Sequence, residues 1–208
     1  MMIMTKGILV GAAVLGMGWA CGLSAAEAGV GTTLENLQAA YNGESNAKAR
    51  YEAFAVKADE EGYKSVAGLF RATSRSEGIH AEKHAAEIKK LGAEAKATVT
   101  TPEVKSTQEN LEAALGGETM EKNKMYPDFI KQAEAEKISG AVRTFKGAMM
   151  AEIEHAKLYQ QALAELDSWK APGKVFLVCQ VCGYTTADNL LKKCPVCGVP
   201  RTRFDVIK

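Results

Sequence analysis

The chain has 208 residues, enough for one domain of ordinary size or for a domain and a small module. Hydrophobic residues make up 47% and charged ones 25%, which excludes a disordered chain, while 7% aromatics and 5 prolines favour helices over an all-β fold. Lys and Arg number 26 against 25 Asp and Glu, and the net charge of +1 argues against nucleic acid as a partner.

The first segment covers residues 1–28. A lone Lys6 precedes a small, apolar run from Gly7 to Ala26, with no other charge before Glu27. Ser24-Ala25-Ala26 and Ala26-Glu27-Ala28 offer small-x-small cleavage sites. That layout predicts a signal peptide over 1–28 and export, to the periplasm. Two alternatives stay open. The run approaches the ~20 residues of an uncleaved membrane anchor, and Cys21 is a lipidation candidate that lacks the usual Leu three residues before it.

From Thr32 to about Asp167, Ala, Glu, Lys, Leu, Met and Gln dominate, and Pro occurs only at 102 and 127. The pattern predicts long helices over about 32–61, 63–91, 106–137 and 139–167, a bundle spanning 32–168. Gly62 marks a tight turn. Gly92–Lys105 carries Thr98-Val99-Thr100-Thr101-Pro102, a helix-breaking stretch long enough to cross over the length of a bundle. Pro127 predicts a kink. After the linker Ala171-Pro172-Gly173, residues 174–208 turn to Val, Phe, Cys, Gly and Tyr at short-strand spacing. A module that small needs a metal or disulfides to hold it.

The body also repeats. Gly43-Glu44 matches Gly117-Glu118 at an offset of 74; Phe54, Phe70, Glu77 and His80 match Phe129, Phe145, Glu152 and His155 at 75. A helix pair is thus duplicated, with one extra residue in the second copy. Glu77-x-x-His80 and Glu152-x-x-His155 each put a carboxylate and an imidazole on one helix face, since i and i+3 are neighbours. Glu44 and Glu118 are the partner acids on the other helices, and Glu121 is an additional one. One Glu-x-x-His is usually a solvated face. Two in repeat register, each with its acid, predict a dinuclear metal site of the ferritin-like kind. Carboxylates bridge two cations and offset their charge, and imidazoles favour redox-active iron over calcium or magnesium. His84, one turn beyond His80, is read as lying beside the site or on the surface, not as a ligand.

Cys179-x-x-Cys182-Gly183-Tyr184 and Cys194-x-x-Cys197-Gly198 are two metal knuckles, with a Gly after each pair to allow positive φ. Four thiolates bind zinc or a single iron, and paired disulfides are a third possibility in an exported chain. The Cys-Gly-Tyr wording and the neighbouring site favour iron.

With these motifs, together with Gly43-Glu44-Ser45, Gly117–Glu121 and Met125-Tyr126-Pro127, the chain beyond its first segment resembles the rubrerythrin family. The resemblance implies a mainly α fold, a ferritin-like di-iron four-helix bundle followed by a rubredoxin-like β domain with iron on four cysteines. It implies reduction of hydrogen peroxide to water, with electrons relayed through that iron from an unidentified donor protein. By position, Glu44, Glu77, His80, Glu118, Glu121, Glu152 and His155 would hold the two irons, and Glu121 would trade places with His80 as one iron shifts with redox state. Tyr51 and Tyr126 match tyrosines that contact the site. The alternatives are a ferroxidase or iron store, a non-catalytic electron carrier and a zinc-stabilised structural protein. An iron store has no use for a fused four-cysteine module. Twelve residues separate His155 from Asp167, ~18 Å of helix, so the cysteine module is expected at the bundle's end. A head-to-tail homodimer, implied by the resemblance, would then bring one chain's cysteines to the other's bundle site.

Overall fold

The structure is a computed structural model that describes residues 31–171 and 173–208. The signal segment expected over 1–28, with its anchor and lipid alternatives at Cys21, lies outside the described residues. Five helices follow in order: α1 (Thr33–Glu60), α2 (Lys64–Lys90), α3 (Thr107–Met120), α4 (Tyr126–Ala135) and α5 (Ser139–Ala164). Then come strands β1 (Phe176–Cys179), β2 (Thr185–Thr186) and β3 (Phe204–Ile207). Capping boxes start two of the helices. Thr32 pairs with Glu35 and Ser106 with Glu109, each satisfying two backbone N–H groups that the helix leaves open. Gly62 closes the α1–α2 turn at φ 82°, a conformation costly for any residue with a Cβ.

The expected third helix is interrupted. Glu121–Met125 forms one π-helical turn between α3 and α4. Pro127, just beyond it, lacks the N–H that would continue the regular ladder, so the predicted kink takes this form. The repeat explains the position. Tyr51 lies seven residues after Glu44, but its equivalent Tyr126 lies eight after Glu118, and the π turn absorbs that extra residue.

The crossover is extended and bound to α1 at regular intervals. Gln38 Oε1, Asn42 Oδ1 and Asn46 Oδ1 accept from the backbone N–H groups of Lys96, Thr98 and Thr100 at 3.2, 2.8 and 3.0 Å. Four helical residues rise ~6.0 Å and two extended ones ~6.6 Å, so the two periods match.

Two apolar cores fill the bundle. Tyr51, Phe54, Phe70 and Tyr159 anchor one, and Leu37, Ile88, Phe129 and Phe145 the other. Each fully buried side chain of this size contributes about 1.5–3 kcal/mol. Along α1 and α5 the acidic residues Glu44 and Glu152 fall between the two cores.

The cysteine module is a three-stranded antiparallel sheet in the order β2–β1–β3. It does not stay at the bundle's end as expected. The chain reverses through the short helix Leu166–Trp169, and Ser65 Oγ donates to Ala171 O at 2.6 Å. β1 then runs back along α2. Phe176 packs beside Gly68, and eight residues later Ser76 Oγ donates to Gly183 O at 2.7 Å. A strand gains ~3.3 Å per residue against ~1.5 Å for a helix, so a few residues retrace the descent of α5. Arg75 pairs with Asp205 at 2.8 Å, and Arg71 binds the Lys208 carbonyl. The approach is made within one chain.

Candidate metal centre

The repeated helix pairs bring six ligand-type residues to one buried place. Glu44, Glu77, His80 and Glu152 form one group, and Glu77, Glu118, Glu152 and His155 a second. Glu77 and Glu152 belong to both. His80 Nδ1 lies 2.9 Å from Glu77 Oε2 and 3.1 Å from Glu152 Oε1, while His155 Nδ1 lies 3.3 Å from Glu77 Oε1 and 2.9 Å from Glu152 Oε2. Each of these two carboxylates therefore turns one oxygen to each imidazole, the disposition of a bridge. Glu44 Oε1 and Glu118 Oε2 complete the two groups from outside, at 3.9 Å from His80 and 3.4 Å from His155.

The donor set fits two cations. Glu44 Oε2, Glu77 Oε1, Glu118 Oε2, both Glu152 oxygens and His155 Nδ1 are buried without a hydrogen-bond partner among the described residues. Each such atom costs about 1–3 kcal/mol, and more when charged. Protons are the alternative to metal. Burial first, then Glu77 and Glu152, holds the Glu44 carboxyl well above its ordinary range. Burial, then Glu77, raises Glu118 to about 8. Glu77 is the exception: against the push of burial, His155 and His80 hold it down to about 2. Glu152 and Glu77 keep the His80 imidazole well above its usual range although burial pulls it down.

Glu121 stands outside both groups. The π turn carries it, half-buried, and burial followed by Glu44 and Glu118 raises its carboxyl well above the ordinary range. Tyr51 donates to Glu118 Oε1 at 2.5 Å, and Tyr126 donates to Glu44 Oε1. His84 is buried beside this network and is not at the surface; its Nε2 lies 3.2 Å from the Tyr126 hydroxyl.

The four cysteines form the second centre. All are free thiols; Cys179 Sγ lies 3.5 Å from Cys197 Sγ, and Cys182 Sγ 3.5 Å from Cys194 Sγ. A disulfide needs ~2.05 Å, so the spacing is that of ligands around one ion. Gly183 and Gly198 both take φ 77°, as expected, and donate to Cys179 O and Cys194 O at 2.9 Å. A hydrogen bond from the Cys182 thiol, helped by the N–H groups of Val181 and Cys182, lowers Cys179 to about 5.

The two centres meet directly. His80 Nε2 lies 3.1 Å from Cys182 O, and His155 Nε2 lies 3.1 Å from Thr185 Oγ1. A Cβ on Gly183 would collide with His80 and stand 2.6 Å from Ser76 Oγ, so only glycine permits this docking. Ser76 and Thr185 carry no sequence signal for this role, because they meet only through the tertiary fold.

A family model described as "Rubrerythrin" matches residues 35–163, and one described as "Rubrerythrin, rubredoxin-like domain" matches 178–205. The chain is 41% identical over 177 residues to nigerythrin from Nitratidesulfovibrio vulgaris, covering 84% of this chain and 86% of that one. It is 37% identical over 176 residues to rubrerythrin-2 of Clostridium acetobutylicum, covering 83% and 95%. The solved structure of the fully reduced, all-ferrous state of nigerythrin superposes with a TM-score of 0.81 at 39% identity, covering 88% of this chain and 91% of that one. The residues for a di-iron site in a ferritin-like bundle and the four cysteines for a rubredoxin-like iron are thus both in place, and the chain belongs to the rubrerythrin family.

Proposed function

We propose that the protein reduces hydrogen peroxide to water at the bundle site, drawing electrons through iron held by the four cysteines. One observation carries this reading. The imidazole of His80, whose Nδ1 faces Glu77 and Glu152, turns its Nε2 to the carbonyl of Cys182 at 3.1 Å. An N–H donated there joins a ligand of one centre to the main chain of a ligand of the other. Storage or simple oxidation of iron has no use for such a junction.

When bound, the two bundle irons supply the two electrons that cleave the O–O bond. Glu77 and Glu152 hold both positions at once and tolerate a change of charge between them. Glu121, near enough to Glu44 and Glu118 for their charges to raise its carboxyl but outside both groups, would take over the place of His80 on a change of redox state. Tyr51 and Tyr126 orient Glu118 and Glu44 and keep protons at hand. A separate donor protein reloads the cysteine iron, of whose ligands Cys197 is the exposed one. Export directed by residues 1–28 places this chemistry in the periplasm.

The test is stopped-flow mixing of the anaerobically reduced protein with peroxide or with O₂, followed at the absorbance of the cysteine iron. Faster oxidation by peroxide supports the reading. Faster oxidation by O₂, or zinc in the cysteine site after native expression, overturns it.

A further inference from the structure

One buried histidine has no part in the chemistry above. His84 is 0% exposed and is hydrogen-bonded at both nitrogens, with Nε2 3.2 Å from the Tyr126 hydroxyl and Nδ1 3.3 Å from Thr144 Oγ1. The proton positions follow from the partners. Tyr126 O–H donates to Glu44 Oε1, so the phenol oxygen can only accept from His84, which places a proton on Nε2. Burial first, and His80 second, lowers His84 to about 3, so the ring is neutral and Nδ1 accepts from Thr144 O–H. Every donor in the chain points inward. Thr144 is half-buried and opens on a cleft of about 740 Å³ between α2, α5 and the cysteine module, with Lys83, Arg143, Lys146, Val181 and Cys182 also in its wall.

We propose that Thr144, His84 and Tyr126 are a proton relay from this cleft to Glu44, which rests on and deepens the peroxidase reading. Reduction of peroxide to two waters takes up two protons with its two electrons, and the six grouped ligand residues, none more than 2% exposed, need a route by which protons reach them. In each passage the Thr144 proton moves to His84 Nδ1, the Nε2 proton to the Tyr126 oxygen, and the phenol proton to Glu44 Oε1. Water in the cleft restores Thr144, and between turnovers a local opening lets the ring give its Nδ1 proton to that water and take one from it on Nε2, which resets the chain. His84 ends each passage neutral, because it releases a proton from one nitrogen as it receives one on the other.

The other half of the repeat shows what a merely structural arrangement looks like. Tyr159 stands 75 residues after His84, at the equivalent place. Its hydroxyl lies 2.6 Å from Thr73 Oγ1, which is 0% exposed and turns to the carbonyls of Leu69 and Phe70. That path ends inside the core.

Two measurements decide the matter. In the zinc-loaded, diamagnetic protein, ¹⁵N NMR of His84 should show the proton on Nε2; a proton on Nδ1, or a charged ring at neutral pH, overturns the relay whatever the protein does with peroxide. In the iron protein, Thr144→Val and His84→Gln should retain iron and near-wild-type melting, yet slow single-turnover peroxide reduction by about 10-fold or more with an altered solvent deuterium effect. Imidazole should restore part of the rate to His84→Ala, while Thr73→Val should leave the rate unchanged. Equal rates in wild type, Thr144→Val and His84→Gln would overturn the proposal while leaving the peroxidase reading intact. A wild type that ignores peroxide would sink that reading instead.

Discussion

The two halves of the bundle descend from one helix pair, yet they differ at the points where chemistry enters. The shared positions are those that hold cations: Glu44 and Glu118, Glu77 and Glu152, His80 and His155. Even the tyrosines are exchanged symmetrically, Tyr51 of the first half donating to Glu118 of the second and Tyr126 to Glu44. The differences sit one step outward. The second half alone has the π turn and the extra acid Glu121, and the first half alone has His84 where the second has Tyr159. Duplication suffices to build a paired site of equal ligands. Directing a reaction through it requires that the two sides become unequal.

The strongest way to break this comparison is to remove a bridge from either half. Glu77→Ala and Glu152→Ala should each lose both bundle irons, because each carboxylate serves both positions; iron analysis of the purified variants checks this, and retention of one iron in either would contradict bridging. Deleting Asn123, exposed in the π turn, should restore a regular helix and the symmetry of the repeat. The bundle should keep its iron but turn over peroxide more slowly, since Glu121 is swung away. Glu121→Ala should behave alike, and wild-type single-turnover rates in both would refute a role for that residue.

The tyrosine pair gives a finer comparison. Tyr51→Phe and Tyr126→Phe should destabilise the protein similarly, by about 1–3 kcal/mol, since each deprives a buried carboxylate oxygen of its donor. Denaturant titration measures that equality. Tyr126→Phe should also lower the rate of peroxide reduction by more than its effect on iron content explains, and by more than Tyr51→Phe does. Equal rate losses in both would mean that the halves are functionally alike.

The smallest effect is a pH dependence of the metal-free protein. Glu44, Glu118 and Glu121 hold protons in the folded state that they release when unfolded, with Glu118 raised to about 8, and His80 and His155 are likewise raised. Above the unfolded His value of ~6.5 the native state binds more protons than the unfolded state, so stability falls as pH rises. His84 and Cys179 have the opposite sign: the window of His84, from about 3 up to ~6.5, closes below this range, and the one proton given up by Cys179, lowered to about 5, is outweighed by the five raised groups. Melting of the metal-free protein should drop by a few degrees between about pH 6.5 and 9, and metal loading should flatten the dependence. A metal-free melting temperature that rises over this range would show that the acids are not proton-bound.

Much of the site was legible before any fold. The spacing in Glu77-x-x-His80 and Glu152-x-x-His155 puts each pair on one helix face, and the repeat offset implies that equivalent residues meet. The docking of the cysteine module was not legible. Counting helical rise from His155 to Asp167 placed it at the bundle's end, because nothing local announces that Leu166–Trp169 reverses the chain or that Gly68 leaves room for Phe176 and the carboxy terminus. The single extra residue of the second copy was countable, but not that it would be absorbed as a π turn beside Glu121.

By itself the sequence determined the ligand types, their spacing along each helix and the duplication, because helical periodicity is a local property that any stretch of chain carries. Only the tertiary structure decided which carboxylates are shared between the two positions, that Gly183 and Cys182 reach His80, and that His84 connects Thr144 to Tyr126. Those contacts join residues from 42 to 103 positions apart, and their distances are set by how helices and strands pack against one another, on which no local spacing has a say.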